Sequence, residues 1–451
     1  MRILIINCNR EHKPQTLLPI GACCIAAATN AVGYDTHFLD LTFARNPVRT
    51  VQSTVQRLAP DVIGLSIRNL DNCDATAPYS YLPEIQAIAA ACRQACTATL
   101  VLGGAAVSLA PGSMLRNVPG DYAVVGEGER TFLALLRALE QGVDPSSIPG
   151  VIAAEQDSRS APYPQPLSPR GARGFRDAES PSAPRGEGGG RGWTGGEQSV
   201  APLEEHLPTL PDVDFSRWLS LQQYRAFDAA YPIQTKRGCQ FQCNYCRYPY
   251  LEGRHWRLRD PGWVAEEVAR AEASGLRLIE FIDSVFGLPT GHAIACCAAA
   301  SRRGARTALS AMELNPAACV PDLVQAMNAA RFSSVAITAE SGSAAMLAQL
   351  QKGFTTDDLH RAAETLRDLR TQKMWIFLVG APGECAATVR ETARFIATLP
   401  PTDFVYATFG VRVLPGTALQ RTLIGSGELD AENDLLQPFF YHSPLIDPAR
   451  A

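Results

Sequence analysis

Apolar residues along the chain alternate between short continuous runs and longer stretches in which they recur every three or four positions. RILIIN at the start is a continuous run of the kind buried on both faces of a parallel strand. The Ala-rich segment from about Gly21 to Val32 has helical spacing, and THFLDL, DVIGLSI, TLVLGG and YAVVGEGE then read as strands. Helical patterns separate them over about Val51 to Leu58 and Pro83 to Cys96, and Thr131 to Gln141 follows the last. This alternation predicts an α/β fold, a doubly wound Rossmann- or flavodoxin-like domain over residues 1–150.

The pattern stops over 151–205, where SRSAPYPQPLSPRGARG and SPSAPRGEGGGRGWTGGEQ hold almost no large apolar residues. Such a stretch cannot bury enough surface to offset chain entropy, which predicts a disordered linker. Periodicity returns with YPIQTKRG, RLIEFIDS, TALSAME, SVAITAES, KMWIFLVG and FVYATFGVRV, each except the last followed by a helix-compatible segment. Six strand–helix units over 206–430 predict a (β/α)6 partial TIM barrel with its functional loops at the carboxyl ends of the strands, and a C-terminal tail over 431–451.

Composition narrows the function. A chain of 451 residues exceeds one usual core, so two domains are expected. The formal charge of −4 offers no basic field to a nucleic acid. MRILIINCNR is too short an apolar run for a signal peptide or a membrane span, so the expected setting is cytoplasmic, away from membranes. Thirteen cysteines in that setting are reduced thiols. Cys23, Cys24, Cys296 and Cys297 lie in Ala-rich helical stretches and suit a core.

RGCQFQCNYCRYPY is different. Cys239, Cys243 and Cys246 stand at C-x3-C-x2-C directly after the first strand of the second domain, so three thiolates from one loop can converge on one metal centre. Three thiolates suit a [4Fe–4S] cluster and leave its fourth iron open to a chelating ligand. Structural zinc is the alternative, but it wants four protein ligands, and His255 is the nearest further candidate.

This motif resembles that of the radical S-adenosylmethionine (SAM) superfamily, in which an aromatic residue precedes the third cysteine as Tyr245 does here. The resemblance runs on through the second domain and implies SAM contacts. Phe281, Asp283, Ser284 and Phe286 are similar to an F-x-D-D-x-F ending that places Asp283 near the SAM amino group, with Ser284 where a second acid would stand. ITAESGSAAML maps Glu340 and Ser341 near the ribose and methionine parts, and GAPGE puts Gly380 and Pro382 near the adenine. RVLPGT, with Arg412, resembles the ending of the sixth strand. Each also has a plain reading: Gly380 and Pro382 can end a strand, and Glu340 can cap a helix.

In the first domain no G-x-G-x-x-G follows the first strand, which weakens a dinucleotide reading. Gly103 and Gly104 instead let a flat cofactor approach the backbone closely, while Gly126 and Glu127 open a turn whose acids suit a helix N-terminus. These segments are similar to cobalamin-binding domains placed ahead of radical SAM domains. The D-x-H-x-x-G ligand motif of such domains is missing, and neither His12 nor His37 sits in that context. Arg68, Asn69, Asp71 and Asn72 match an R-N-x-D-N segment of some relatives, which implies Arg68 beneath the corrin; pairing of Arg68 with Asp71 or Asp74 is the plain alternative.

The resemblance therefore implies a class B, cobalamin-dependent radical SAM methyltransferase. It would move a methyl group from SAM through methylcobalamin to an unactivated carbon of a small-molecule or peptide substrate, with electrons from an external flavodoxin- or ferredoxin-type donor. A non-methylating oxidation, cyclisation or rearrangement uses the same motifs, and a non-catalytic cobalamin or SAM sensor is the reading from another class. No catalytic side chain is singled out beyond these cofactor contacts.

Overall fold

A computed structural model describes residues 1–13, 15–154, 212–304 and 306–446. The first domain holds β1 (Arg2–Asn7), β2 (Asp35–Asp40), β3 (Val62–Ser66), β4 (Thr99–Gly103), β5 (Tyr122–Val124) and β6 (Val151–Ala153) in one sheet of order β2-β1-β3-β4-β5-β6. All neighbours are parallel except β5 and β6. Ile3 to Ile6 are at most 1 % exposed because helices cover both faces of β1, the reason its sequence shows no alternation. The order 2-1-3-4-5 is the flavodoxin-like one, and it opens a crevice at the carboxyl ends of β1 and β3.

The helix after β1 spans Ile20–Ala31 and the one after β5 spans Gly128–Glu140, starting three residues before the expected Thr131. The linker expected over 151–205 lies outside the described residues from 155 onward. Its first three residues are β6, hydrogen-bonded along the edge of the sheet.

The second sheet runs in chain order through β7 (Ala230–Ile233), β8 (Leu278–Phe281), β9 (Ala308–Leu314), β10 (Phe332–Glu340), β11 (Gln372–Val379) and β12 (Phe404–Phe409), every pair parallel. Helices such as Pro261–Ser274, Thr290–Arg302 and Ala386–Ile396 connect the strands. One face of each strand, with Ile279, Phe281, Trp375 and Phe377, packs under these helices. The opposite face, with Glu280 and Glu340, is left to chemistry.

The two sheets do not form separate bodies. Leu17 bridges Ala230 beside β7, and Leu18 and Cys23 belong to the barrel core. Nor is the tail loose: Phe440–Tyr441 pairs antiparallel with Val411–Arg412, Leu435 packs on the barrel side, and Leu436 enters the core of the first domain.

Candidate active site

The cysteine loop follows β7. The backbone N–H of Cys239 donates to the Gly253 carbonyl at 3.0 Å, that of Cys246 to Cys243 at 3.1 Å, and Asn244 is held to the Leu350 carbonyl at 3.1 Å. The N–H of Tyr248 points at Cys246 Sγ at 3.4 Å. Burial pushes the Cys239 thiol up to about 11 and that of Cys246 up to about 12, each with a neighbouring thiol adding to the rise. The thiol of Cys239 is buried and those of Cys243 and Cys246 are half-buried, and with all three raised they need a cation to ionise, which iron would supply.

Beside the loop stands a buried triad. Tyr245 donates its hydroxyl to Glu340 Oε1 at 2.8 Å, and Lys352 Nζ donates to the same oxygen at 2.9 Å and to the Tyr245 hydroxyl at 3.0 Å. Glu340 ends β10 with φ of 59°, a left-handed backbone that turns its side chain across the strand ends. Lys352 is a residue that sequence reasoning missed, although QKGFT follows the E-S-G segment closely. Its ammonium also favours the Cys243 thiolate.

Asp283 is not where the motif implied. It accepts from the Thr235 N–H at 2.7 Å, the Thr235 hydroxyl at 2.6 Å, the Lys236 N–H at 3.3 Å and Lys236 Nζ at 2.8 Å. With its side chain 0 % exposed, it clamps the end of β7 and has no face left for a ligand. Ser284 donates to the Gly238 carbonyl. Ser341 is turned inward against Thr392 at 3.0 Å and accepts from the Ser343 N–H. At Gly380 the N–H donates to Glu384 and the carbonyl accepts from Ser443, so this turn is closed on itself; Pro382, next to it, keeps partial exposure.

Two further assignments are corrected by partners from the other domain. Glu127 is taken by Arg257 in two bonds at 2.5 and 2.9 Å, with Arg237 at 3.4 Å, and Glu129 by Arg237 at 2.6 Å. Arg412 does not project to a cofactor; it donates to Asp71 at 2.7 and 2.8 Å.

At the crevice of the first sheet a cavity is lined by Cys8, Asn9, Arg10, Ile67, Arg68 and Asn69. Gly104 has φ of 102°, and a Cβ there would lie 2.4 Å from the Ile67 carbonyl oxygen, so only glycine fits. A Cβ on Gly103 would meet nothing within 4 Å, which leaves a bare backbone facing open space as a flat cofactor requires. Gly126 donates its N–H to Ser108 Oγ, and Ser108 donates to the Gly104 carbonyl, tying the two glycine turns together.

Arg68 is exposed and does not pair with the acids of its own loop: Asp71 is held by Arg412 and Asp74 by Thr76. Its guanidinium reaches electrostatically to Glu280 and Tyr248 of the barrel. Glu280, also missed from sequence, is 7 % exposed, and its Oε2 finds no hydrogen-bond partner among the described residues. Burial raises its carboxyl while Arg68 opposes the rise. Glu313, with φ of 61°, has its carboxyl pushed up to about 7 by burial with Glu340 beside it. The carboxyl ends of both sheets thus converge on one region holding thiols, an orphaned carboxylate and a free arginine face.

Among known proteins, the B12 binding domain model matches residues 9–136 and the Radical SAM superfamily model residues 233–396. The tryptophan 2-C-methyltransferase of Streptomyces laurentii is 25 % identical over 454 residues, covering 93 % of this chain and 74 % of the relative. The cytidylyl-2-hydroxyethylphosphonate methyltransferase of Streptomyces wedmorensis is 23 % identical, covering 96 % and 84 %. The structure of the methyltransferase TsrM from Kitasatospora setae, with cobalamin and a [4Fe–4S] cluster bound, superposes with a TM-score of 0.80 at 21 % identity over 100 % of this chain and 86 % of that one. A B12-binding domain ahead of a radical SAM domain, in a fold shared along the whole chain, makes this protein a member of the cobalamin-dependent radical SAM enzymes.

Proposed function

We propose that the enzyme transfers a methyl group from SAM, by way of bound cobalamin, to a carbon atom of a small molecule. The observation that carries this is the packing of Tyr248–Leu251, directly after the cysteine loop, against Ala105–Leu109, directly after Gly103 and Gly104, in a chain that two methyltransferases match over more than nine-tenths of its length. Those relatives act on unrelated molecules, a tryptophan carbon and a cytidylyl phosphonate, so their names support the transfer and leave the acceptor open.

When bound, the cluster delivers single electrons to SAM and the corrinoid carries the methyl group toward the acceptor. The protein's part is placement. Cys239, Cys243 and Cys246 would hold the cluster, and the triad of Tyr245, Glu340 and Lys352 keeps a positive charge beside Cys243. Gly103 and Gly104 would let the cobalamin approach the backbone, and Arg68, exposed at the carboxyl end of β3, would present a cation to it. Electrons come from an external flavodoxin- or ferredoxin-type donor. Among the described residues no helix is long and apolar enough to cross a membrane.

The test is anaerobic turnover with SAM and cobalamin, with tryptophan as the first acceptor tried, followed by product mass. Formation of S-adenosylhomocysteine with gain of one methyl group by an acceptor is the expected result. Consumption of SAM to 5′-deoxyadenosine with an altered but unmethylated acceptor would replace this reading with the oxidation or rearrangement.

A further inference from the structure

Asp71, which the sequence offered as a partner for Arg68, meets Arg412 instead. Asp71 lies in the loop after β3 that carries Arg68 and Asn69, and Arg412 lies 341 positions on, in the segment after β12. Asp71 Oδ2 accepts from Arg412 Nε at 2.8 Å and from Nη2 at 2.7 Å, while Oδ1 accepts the Cys73 N–H at 2.9 Å. Arg412 also donates from Nη2 to the Leu435 carbonyl at 2.9 Å and from Nη1 to the Val413 carbonyl. The side chains are 2 % and 7 % exposed, so the pair is shielded from salt and water.

The pair joins the Arg68 loop, the barrel's last strand segment and the C-terminal tail. The loop's other bonds stay within the first domain: Ile67 is tied to Gly103 and Ala106, the Tyr81 hydroxyl donates to Glu11, Tyr81 and Asn72 donate their N–H groups to Leu70 and Tyr79, and Asp71 bridges Ser80. They shape the loop without fixing it to the barrel. A buried ion pair is weak evidence for stability, since apolar residues would serve as well, but its directional bonds set a register. We propose that Asp71 and Arg412 are positioning residues that dock this loop on the barrel and so hold Arg68 at the lower face of the corrinoid. This rests on the placement of Arg68 proposed above.

The experiment uses the full chain, purified anaerobically and loaded with cobalamin, with the Co(II) form read by EPR and corrinoid bound per chain measured alongside. Arg68→Ala should gain the signature of a water ligand on cobalt. Asp71→Asn, Arg412→Lys and Asp71→Glu should gain the same signature in part of the population, with corrinoid content within about twofold of the parent. Asp71→Glu keeps both charges and moves the loop by one methylene, so a change there separates positioning from mere loss of an ion pair and decides the matter if Asp71→Asn does not fold. A double variant of Asp71→Asn with Arg412→Lys should be no worse than either single change, because both break one contact. Parent-like spectra in every pair variant, with a changed spectrum in Arg68→Ala, would overturn this inference alone. A parent-like spectrum in Arg68→Ala would instead overturn the placement of Arg68, and this inference with it.

Discussion

Asp283 offers the sharpest separation between a cofactor contact and a structural clamp. Replacing it by Ala leaves the ammonium of Lys236, itself 1 % exposed, without a counter-ion, and strands the N–H and hydroxyl of Thr235. Both charged side chains are out of water, 2 % and 0 % exposed, so solvent cannot make good the loss. Breaking a buried pair by removing one partner costs about 3–5 kcal/mol. In a domain of this size, at about 2–4 °C per kcal/mol, Tm falls by roughly 6–20 °C. Asp283→Asn keeps an acceptor for Thr235 but not the charge, and should lose about half as much.

The assay is thermal unfolding of apoprotein followed by circular dichroism, with SAM binding measured by calorimetry below the transition. A double variant, Asp283→Leu with Lys236→Met, removes both charges and should regain most of the stability lost by Asp283→Ala, as apolar replacement of a buried pair does elsewhere. An Asp283→Ala protein that melts within about 2 °C of the parent, well below the expected shift, while binding SAM about tenfold more weakly, would show that the carboxylate faces the ligand and that the clamp is misread.

Glu313 gives a pH dependence. Its folded value of about 7 lies above its ordinary 4.5, so the folded state holds the proton more tightly. The stability it contributes is complete below the unfolded value and is lost as pH rises through about 7, at most roughly 3 kcal/mol. Glu313→Gln should flatten the fall in apoprotein Tm between about pH 5 and pH 8; an unchanged slope refutes the assignment. Gly103→Ala meets nothing within 4 Å and should leave Tm unchanged while lowering corrinoid content, whereas Gly104→Ala should lower both because of its φ and the Ile67 carbonyl. Full corrinoid loading of Gly103→Ala would remove the cofactor from that face. Lys352→Met removes the ammonium that donates to both Glu340 and Tyr245 and leaves Glu340 only the Tyr245 hydroxyl, so the iron retained per chain after reconstitution should fall; parent-like iron content would show that the triad does not support the cluster loop.

What could be read in the sequence follows from how local each signal is. Ile3 to Ile6 form one continuous run because β1 is covered on both faces, and a run of that kind identifies itself without its neighbours. The three cysteines lie within one loop, so their spacing already carries their geometry. Charged residues at strand ends are different. Asp283, Glu127 and Arg412 stand where a ligand contact would stand, but a carboxylate or guanidinium there is satisfied equally by a countercharge from elsewhere in the chain. The partners are 47, 130 and 341 positions away, and nothing local names them. Glu280 escaped notice for the opposite reason: it reads as one polar residue in an apolar strand, and only the barrel shows that it faces inward beside Arg68.

The distant pairs have a common sense. Asp40, Asp71, Glu127 and Glu129 come from the first domain, and they meet Tyr224, Arg412, Arg257 and Arg237 of the second. In all four the acid comes from the first domain and the donor from the second, so all four form together only when the domains are docked. Apolar contacts such as Leu18 in the barrel core and Leu436 in the first core hold the halves together but tolerate sliding. Charge-assisted bonds at 2.5 to 2.9 Å do not. For an enzyme whose cysteine loop sits on one domain and whose glycine-lined crevice sits on the other, a substrate carbon can lie in line between them only if that relation is held to a fraction of an ångström. The interface is charged because geometry, more than affinity, is what this reaction asks of it.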